Sequence, residues 1–396
     1  MPEPRSSREV LFVLESMFPT TVGGGAERQA RTLARALAAR GVNVRIIAPM
    51  VPYGPQLEHD SVDGVPVWRI PYPGIRLLGG LVMLWRLLVF LVANRDSYAA
   101  IHAHIAHNMA AVSCLAGALL GKPVVVKVTG WLEMDRGILG GSAFAIGARL
   151  RRTALRQATV FQATSREICA LLKRHGFADT QIDWIPNAVD LKRFASAGVG
   201  TRTGAADLPP LTFIFVGRLV REKWLDGFLS AWEQAFSSED KVALVIIGDG
   251  ELRAVLEQQV ESMGRMHQVV FRGGSSRVEN DLAAAEIGVL PSTVEGLSNA
   301  LLEYMAAGLP VLGSRISGTE DLVIPGTTGW LFEAGNSKEL CSLLRESAAL
   351  DRERLRRMGL AGRQRVADLA GIDAVVGRLQ RHYGIAEGER KACVAS

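Results

Sequence analysis

Short runs of branched and aromatic apolar residues recur along the whole chain, and between them apolar positions return every three or four residues. The short runs predict strands, and the wider spacing predicts helices. In the first half the strands fall at Val10–Leu14, Val44–Ala48, Val65–Ile70, Ala100–His102, Val124–Val128, Val160–Ala163 and Asp183–Ile185. In the second half they fall at Thr212–Val216, Ala243–Ile247, Val269–Arg272, Ile287–Leu290, Val311–Ser314 and Trp330–Phe332. Strands that alternate with helices imply βαβ units and parallel sheets. Ala195 to Pro210, rich in Ala, Gly, Thr and Pro, reads as a linker between two such halves. The expected class is α/β, with two Rossmann-like domains.

Composition changes this picture little. The 396 residues are 48% hydrophobic and 21% charged, enough for two ordinary cores and unlike a disordered chain. Cys114, Cys169, Cys341 and Cys393 are far apart and form no Cys-x-x-Cys pair, so they read as reduced packing residues of a cytoplasmic protein. Glu3 and Glu9 flank the first strand, which is unlike a signal peptide.

Charge changes it more. Residues 1–200 carry 23 Lys and Arg against 14 Asp and Glu, whereas residues 201–396 carry 22 against 26. A basic first half suits an anionic membrane surface or a phosphate-bearing acceptor, or is simply a set of solvated arginine faces. No nucleic-acid module of known type accompanies it. Leu77 to Ala93 is the one long apolar stretch. It is shorter than the roughly 20 residues that span a bilayer, and reads either as an interfacial helix or as a core or domain-edge helix.

The densest candidate chemistry lies at Glu295-Gly296-Leu297-Ser298-Asn299-Ala300-Leu301-Leu302-Glu303. Ser298 and Asn299 are favoured N-cap residues before a strong helix former. A helix start offers unpaired N–H groups and a positive dipole end, which suit phosphate. Glu303 lies one turn past Asn299 on the same face, within reach of hydroxyls beside that phosphate, and Glu295 lies before the cap. Gly217-Arg218-Leu219-Val220-Arg221-Glu222-Lys223 follows the first strand of the second half and puts cations at the carboxyl end of a parallel strand. Gly23-Gly24-Gly25-Ala26-Glu27-Arg28 joins the first strand to a helix with apolar face Ala30, Leu33, Ala34 and Leu37. It is not a dinucleotide fingerprint, because Arg28 replaces the third small residue. His102-Ala103-His104 and His107 invite a metal reading; His102 and His104 would share one strand face, but no third ligand or supporting carboxylate spacing accompanies them. Gly248-Asp249-Gly250 reads as a scaffold turn.

The Glu295-x7-Glu303 spacing, with Gly308-Leu309-Pro310, Gly318-Thr319-Glu320 and Gly329-Trp330-Leu331 downstream, resembles the Glu-x7-Glu motif of retaining GT-B glycosyltransferases of family 4, the group 1 glycosyltransferases. The match is dense from about Val216 to Phe332. The resemblance implies a GT-B fold, two Rossmann-like domains facing across a cleft. Residues 1–195 would bind acceptor, 211–370 would bind the nucleotide sugar, and a helix at 371–386 would return to the first domain.

On this resemblance Glu295, Arg218 and Lys223 are the catalytic candidates. Gly217, Arg272, Gly296, Leu297, Ser298, Asn299 and Glu303 are the donor-binding ones. Gly24, Gly25, His104, Thr129 and Asp135 would serve the acceptor side. Arg218 and Lys223 match the Arg and the Lys five residues later that contact the donor diphosphate, Glu303 falls to its ribose, and Glu295 to the transferred sugar. The implied enzyme is a metal-independent hexosyltransferase without a cofactor, in cell-surface polysaccharide biosynthesis. Its partners are a nucleoside diphosphate sugar and a glycan or lipid-linked acceptor, and its place is the cytoplasm or the inner membrane face. One departure stands out: Thr129 occupies the position where many members carry a His that contacts the donor sugar. A sugar-nucleotide epimerase and a catalytically silent sugar-nucleotide-binding relative are the alternatives.

Overall fold

A computed structural model describes residues 9–19, 24–51, 56–75, 78–130, 146–194 and 210–385. Asp135, Gly23, Arg76, Leu77, Cys393 and the linker up to residue 209 lie outside the described residues. The chain divides into two compact units, Met1–Ala188 with Ile372–Ser396, and Val189–Gly371.

The first unit is built on strands β1 (Glu9–Val13), β2 (Asn43–Pro49), β3 (His59–Val62), β4 (Val65–Ile70), β5 (Ala100–Ala103), β6 (Val124–Val128), β7 (Val160–Ala163) and β8 (Ile182–Trp184). They form one sheet in the order β3-β4-β2-β1-β5-β6-β7-β8. Between them run α1 (Gly25–Ala38), α2 (Leu78–Ala93), α3 (Asn108–Leu120), α4 (Ile146–Leu155) and α5 (Arg166–Arg174). Alternation along β1 makes two cores. Leu11 and Val13 face Met83, Leu87 and Met109 of α2 and α3. Val10, Phe12 and Leu14 face Leu33 and Leu37 of α1 on the other side. Both faces are therefore covered, as a parallel sheet requires.

The pairing is parallel except at β3, which returns antiparallel beside β4. Its turn is Asp63-Gly64, with φ of 54° and 79°, the left-handed pair that closes a tight hairpin. The apolar pattern does not predict β3, because His59-Asp60-Ser61 is polar and solvated.

The second unit carries β9 (Leu211–Val216), β10 (Val242–Ile247), β11 (Val269–Gly273), β12 (Ile287–Leu290), β13 (Val311–Arg315) and β14 (Gly329–Glu333). They form a parallel sheet in the order β11-β10-β9-β12-β13-β14. Its helices are α6 (Leu225–Ala235), α7 (Arg253–Ser262), α8 (Val278–Ala283), α9 (Asn299–Ala306), α10 (Thr319–Leu322), α11 (Ser337–Ala349) and α12 (Arg352–Ala370). Phe213 and Phe215 point to the α6 and α11 side, while Ile214 points to the α9 and α12 side.

The last helix, α13 (Ile372–His382), packs in the first unit, where Val375, Val376, Leu379 and Tyr383 join the core of α1. Arg40, just past the end of α1, reaches Asp373 at 2.6 Å, and His382 reaches Asp183 at 2.9 Å.

Candidate active site

In each sheet the strand order reverses at one place, between β1 and β5 and between β9 and β12. Loops leaving the carboxyl ends of such strands diverge and leave a crevice, where open α/β sheets take their ligands. Arg218 and Lys223 leave β9, and Glu295 leaves β12. The three catalytic candidates thus share the switch point of the second unit's sheet.

The β9 loop is held from one side by the turn after β10. Gly217 N–H donates to Ile247 O at 3.0 Å, and Leu219 N–H to Asp249 O at 2.9 Å. A Cβ on Gly248 would lie 1.8 Å from Gly217 O, so only glycine permits this approach. Gly248-Asp249-Gly250 is thus the buttress of the cation loop. From the other side, Thr293 N–H donates to Glu222 O at 2.9 Å and ties this loop to the β12 loop.

Between these anchors Lys223 Nζ donates directly to Glu295 Oε1. The hydroxyl of Ser292, itself fully buried, donates to the same oxygen at 3.0 Å. Both partners are mostly buried, with 15% and 17% of their side chains exposed. Arg218 is exposed and makes no ion pair with a described residue. Trp224, directly after Lys223, has φ 49° and ψ 39°. This left-handed conformation costs an ordinary residue about 1–2 kcal/mol.

Helix α9 opens beside the pair, with Ser298 as its N-cap and Asn299 as its first residue. The Ser298 hydroxyl makes no cap hydrogen bond to the helix. Gly296 and Leu297 form the preceding turn, against which Gly318 packs. Glu303 is buried on α9. Next to it Tyr304, also buried, accepts from Val216 N–H at 2.6 Å and so fixes the end of β9. Burial pushes the Tyr304 hydroxyl far above its ordinary value and keeps it neutral. Sequence reasoning missed Tyr304 and the Ser292 hydroxyl; for Tyr304, an aromatic with a polar tip among the apolar residues of a buried helix was the available signal.

Arg272 lies elsewhere. It sits on β11, two strands from β9 or about 10 Å across the sheet, and pairs with Asp281 at 3.3 Å.

In the first unit Gly24 is the N-cap of α1 and Gly25 its first residue, after β1. Thr129 follows β6 and is half-buried. His104 follows β5 but is completely buried, its ring 4.5 Å from Phe12 and 4.2 Å from His102. It therefore offers an acceptor no accessible surface in this conformation. His102 meets the Tyr383 hydroxyl at 2.7 Å. Burial holds both imidazoles well below their ordinary pKa, and the nearby Lys127 adds to the effect. His107 instead meets Glu15 at 2.7 Å and Arg151 at 3.2 Å, while Glu15 also accepts from Met109 N–H at the start of α3. Among the described residues, no three His, Cys, Asp or Glu side chains gather as a metal cluster.

Two family models divide the chain at the same level as its two units. The one described as Glycosyltransferase Family 4 matches residues 23–193, and the one described as Glycosyl transferases group 1 matches residues 203–365. The chain belongs to the group 1 glycosyltransferases.

The chain is 28% identical to 2-deoxystreptamine glucosyltransferase of Streptomyces kanamyceticus, over 89% of this chain and 96% of that protein. It is 29% identical to the UDP-Gal:alpha-D-GlcNAc-diphosphoundecaprenol alpha-1,3-galactosyltransferase of Escherichia coli, over 65% and 67%. The crystal structure of Anabaena Alr3699/HepE in complex with UDP superposes with a TM-score of 0.73 at 18% identity, covering 95% of this chain and 99% of that one. The group 1 architecture here is GT-B, two parallel-sheet α/β domains.

Proposed function

We propose that this group 1 glycosyltransferase is a retaining hexosyltransferase that moves a sugar from a nucleoside diphosphate sugar to a glycan or lipid-linked acceptor in cell-surface polysaccharide assembly. The meeting of Lys223 with Glu295 at the switch point of the second sheet carries this reading. A fixed cation and a carboxylate sit together where a diphosphate and its sugar would lie side by side, next to the start of α9. UDP sugars are the first donors to test, because Alr3699/HepE binds UDP and the E. coli relative is named for UDP-Gal.

In this mechanism the incoming diphosphate takes Lys223 from Glu295, with Arg218 as the second cation. The released Glu295 carboxylate then accepts from hydroxyls of the sugar, held in place by Ser292. Glu303 takes the ribose hydroxyls, and the amides of Ser298 and Asn299 face the phosphates. As the bond from C1 to the β-phosphate oxygen breaks, charge grows on that oxygen, and preorganised cations stabilise it. The acceptor oxygen bonds to C1 from the same side, and its proton passes to the leaving phosphate oxygen. The diphosphate charge is met by side chains, so the proposed reaction needs no metal, and activity should survive EDTA. Gly24, Gly25 and Thr129 are the acceptor-side residues of this proposal.

Thermal unfolding with UDP, GDP and ADP tests the donor site. A ligand at 100 times its Kd adds about 2.7 kcal/mol of stability. No shift with any of the three removes the donor assignment. NMR of the product anomer then tests retention.

We also propose that the first unit rests on an anionic membrane at the cytoplasmic face. No described helix is long and apolar enough to cross a membrane. Yet α2 buries Met83, Leu87 and Leu91 and leaves Leu78, Leu81, Trp85 and Val89 exposed on its outer face. Helix α3, packed beside it, exposes Leu115 and Leu119. An apolar face on a basic unit suits a surface of acidic lipids. Binding to vesicles of phosphatidylglycerol but not phosphatidylcholine is the expected result.

A further inference from the structure

Among the described residues, the non-glycine positions with positive φ are Asp63 and Trp224. Asp63 belongs to a tight hairpin turn that requires it. Trp224 has no such reason: it is the N-cap of α6, a position that is ordinarily extended and small. A bulky residue held in the left-handed region persists only where its surroundings fix it, and such positions cluster at functional sites.

Its surroundings are specific. The indole lies across Gly227, where an added Cβ would stand 2.1 Å from a ring carbon and 2.4 Å from the ring nitrogen. Any side chain at 227 therefore evicts the indole from its seat. Phe332 flanks the ring at 6.5 Å between centroids. The backbone is pinned as well, with Trp224 N–H donating to Arg221 O at 3.0 Å and Trp224 O accepting from Phe228 N–H at 3.1 Å. On the preceding side, Glu222 O is held by Thr293 N–H. The residue between these two anchors is Lys223. Its own neighbours thus fix its backbone on both sides, and its ammonium is aimed at Glu295.

We propose that Trp224, seated on Gly227, is a positioning residue that aims Lys223 into the switch point of the second sheet. Evicting the indole leaves the chain folded and lets Lys223 swing away from Glu295. The geometric part is independent of any ligand; the binding part rests on the donor reading of Lys223 given above.

The first test is a double-mutant cycle of K223A and E295A, read by urea unfolding of the full chain. The coupling between them should be present in the wild type and in W224F, and absent in both W224G and G227A. A coupling that survives in W224G and G227A overturns the proposal. In urea unfolding the double variant W224G/G227A should be no less stable than W224G alone, because no indole remains to be evicted; a further loss of stability overturns the pairing of the two residues. In the second test, UDP, GDP and ADP are titrated into each variant. W224G and G227A should weaken the bound nucleotide about tenfold, with W224F within about twofold of the wild type. Unchanged nucleotide affinity beside a lost coupling overturns the link to the ligand. If the wild type binds none of the three, the donor reading fails, and the coupling measurement alone decides the role of Trp224.

Discussion

The two switch points are built alike from backbone and treated oppositely in chemistry. At β9 and β12 opposite charges meet, Lys223 on Glu295, mostly buried but with an edge open to solvent. At β1 and β5 two imidazoles and the Lys127 amine are sealed in the core, where the charged form of His102 and His104 is suppressed by burial. A charged pair that can be separated suits a ligand that arrives with charge and leaves. A neutral stack against Phe12 and Tyr383 suits permanence, and it joins the strands to the end of the chain. On the proposed function, the same topology serves exchange in one unit and anchorage in the other.

The largest effect is expected where exchange is proposed. Lys223→Ala should lower transfer about 10²–10³-fold, the usual consequence of removing one preorganised charge donor, and steady-state kinetics with the identified donor will show it. If transfer barely changes, the contrast between the two switch points has no catalytic meaning. Glu303→Gln should act mainly on donor binding and raise KM more than it lowers kcat.

A sharper result concerns the pair itself. On the proposed function, a nucleoside diphosphate first separates Lys223 from Glu295 in the wild type. Glu295→Gln should therefore bind UDP more tightly than the wild type, by about fivefold or more for a pair that is mostly buried, while transfer falls. Calorimetric titration measures the first effect. Weaker binding would mean that Glu295 helps to hold the diphosphate.

The anchored side has its own signature. Folded His102 and His104 have pKa values well below 6.5, while the unfolded chain titrates near 6.5. Between these values the unfolded chain holds more protons. Their contribution to stability is thus complete above about pH 6.5 and is lost as the pH falls below it. Each contributes a slope of up to about 1.4 kcal/mol per pH unit. His104→Phe should flatten the loss of stability between pH 7 and pH 5 in urea unfolding. An unchanged slope would mean that these imidazoles are not the sealed groups described. The smallest effect belongs to Trp85→Glu, which should weaken vesicle binding and leave nucleotide binding alone.

These differences explain what could be read from the sequence. Continuous Val and Ile runs mark parallel strands because both of their faces are buried, so thirteen of the strands fall close to their expected places. β3 was hidden because its residues are polar, and only Asp63-Gly64 marked its turn. Lys223 and Glu295 were legible as charged residues on loops beside glycine and small residues. That they touch was not, because 72 residues separate them and only the strand order β9-β12 brings them together. His104 stands among the acceptor-side candidates because sequence shows its chemistry and not its burial. The left-handed Trp224 had no signal at all, since nothing about a tryptophan after a lysine announces positive φ.

Val189 bridges to Gly371, and Val189 N–H donates to Ala370 O at 2.9 Å, so the residues at which the chain enters and leaves the second unit are neighbours. In genetic terms that unit is a cassette: a single uninterrupted stretch, Val189–Gly371, with its two ends side by side. Because its entry and exit lie together, exchanging it for another of its kind requires no threading. The first unit, by contrast, is made of two pieces that must find each other, and α13 is the piece that translation supplies last.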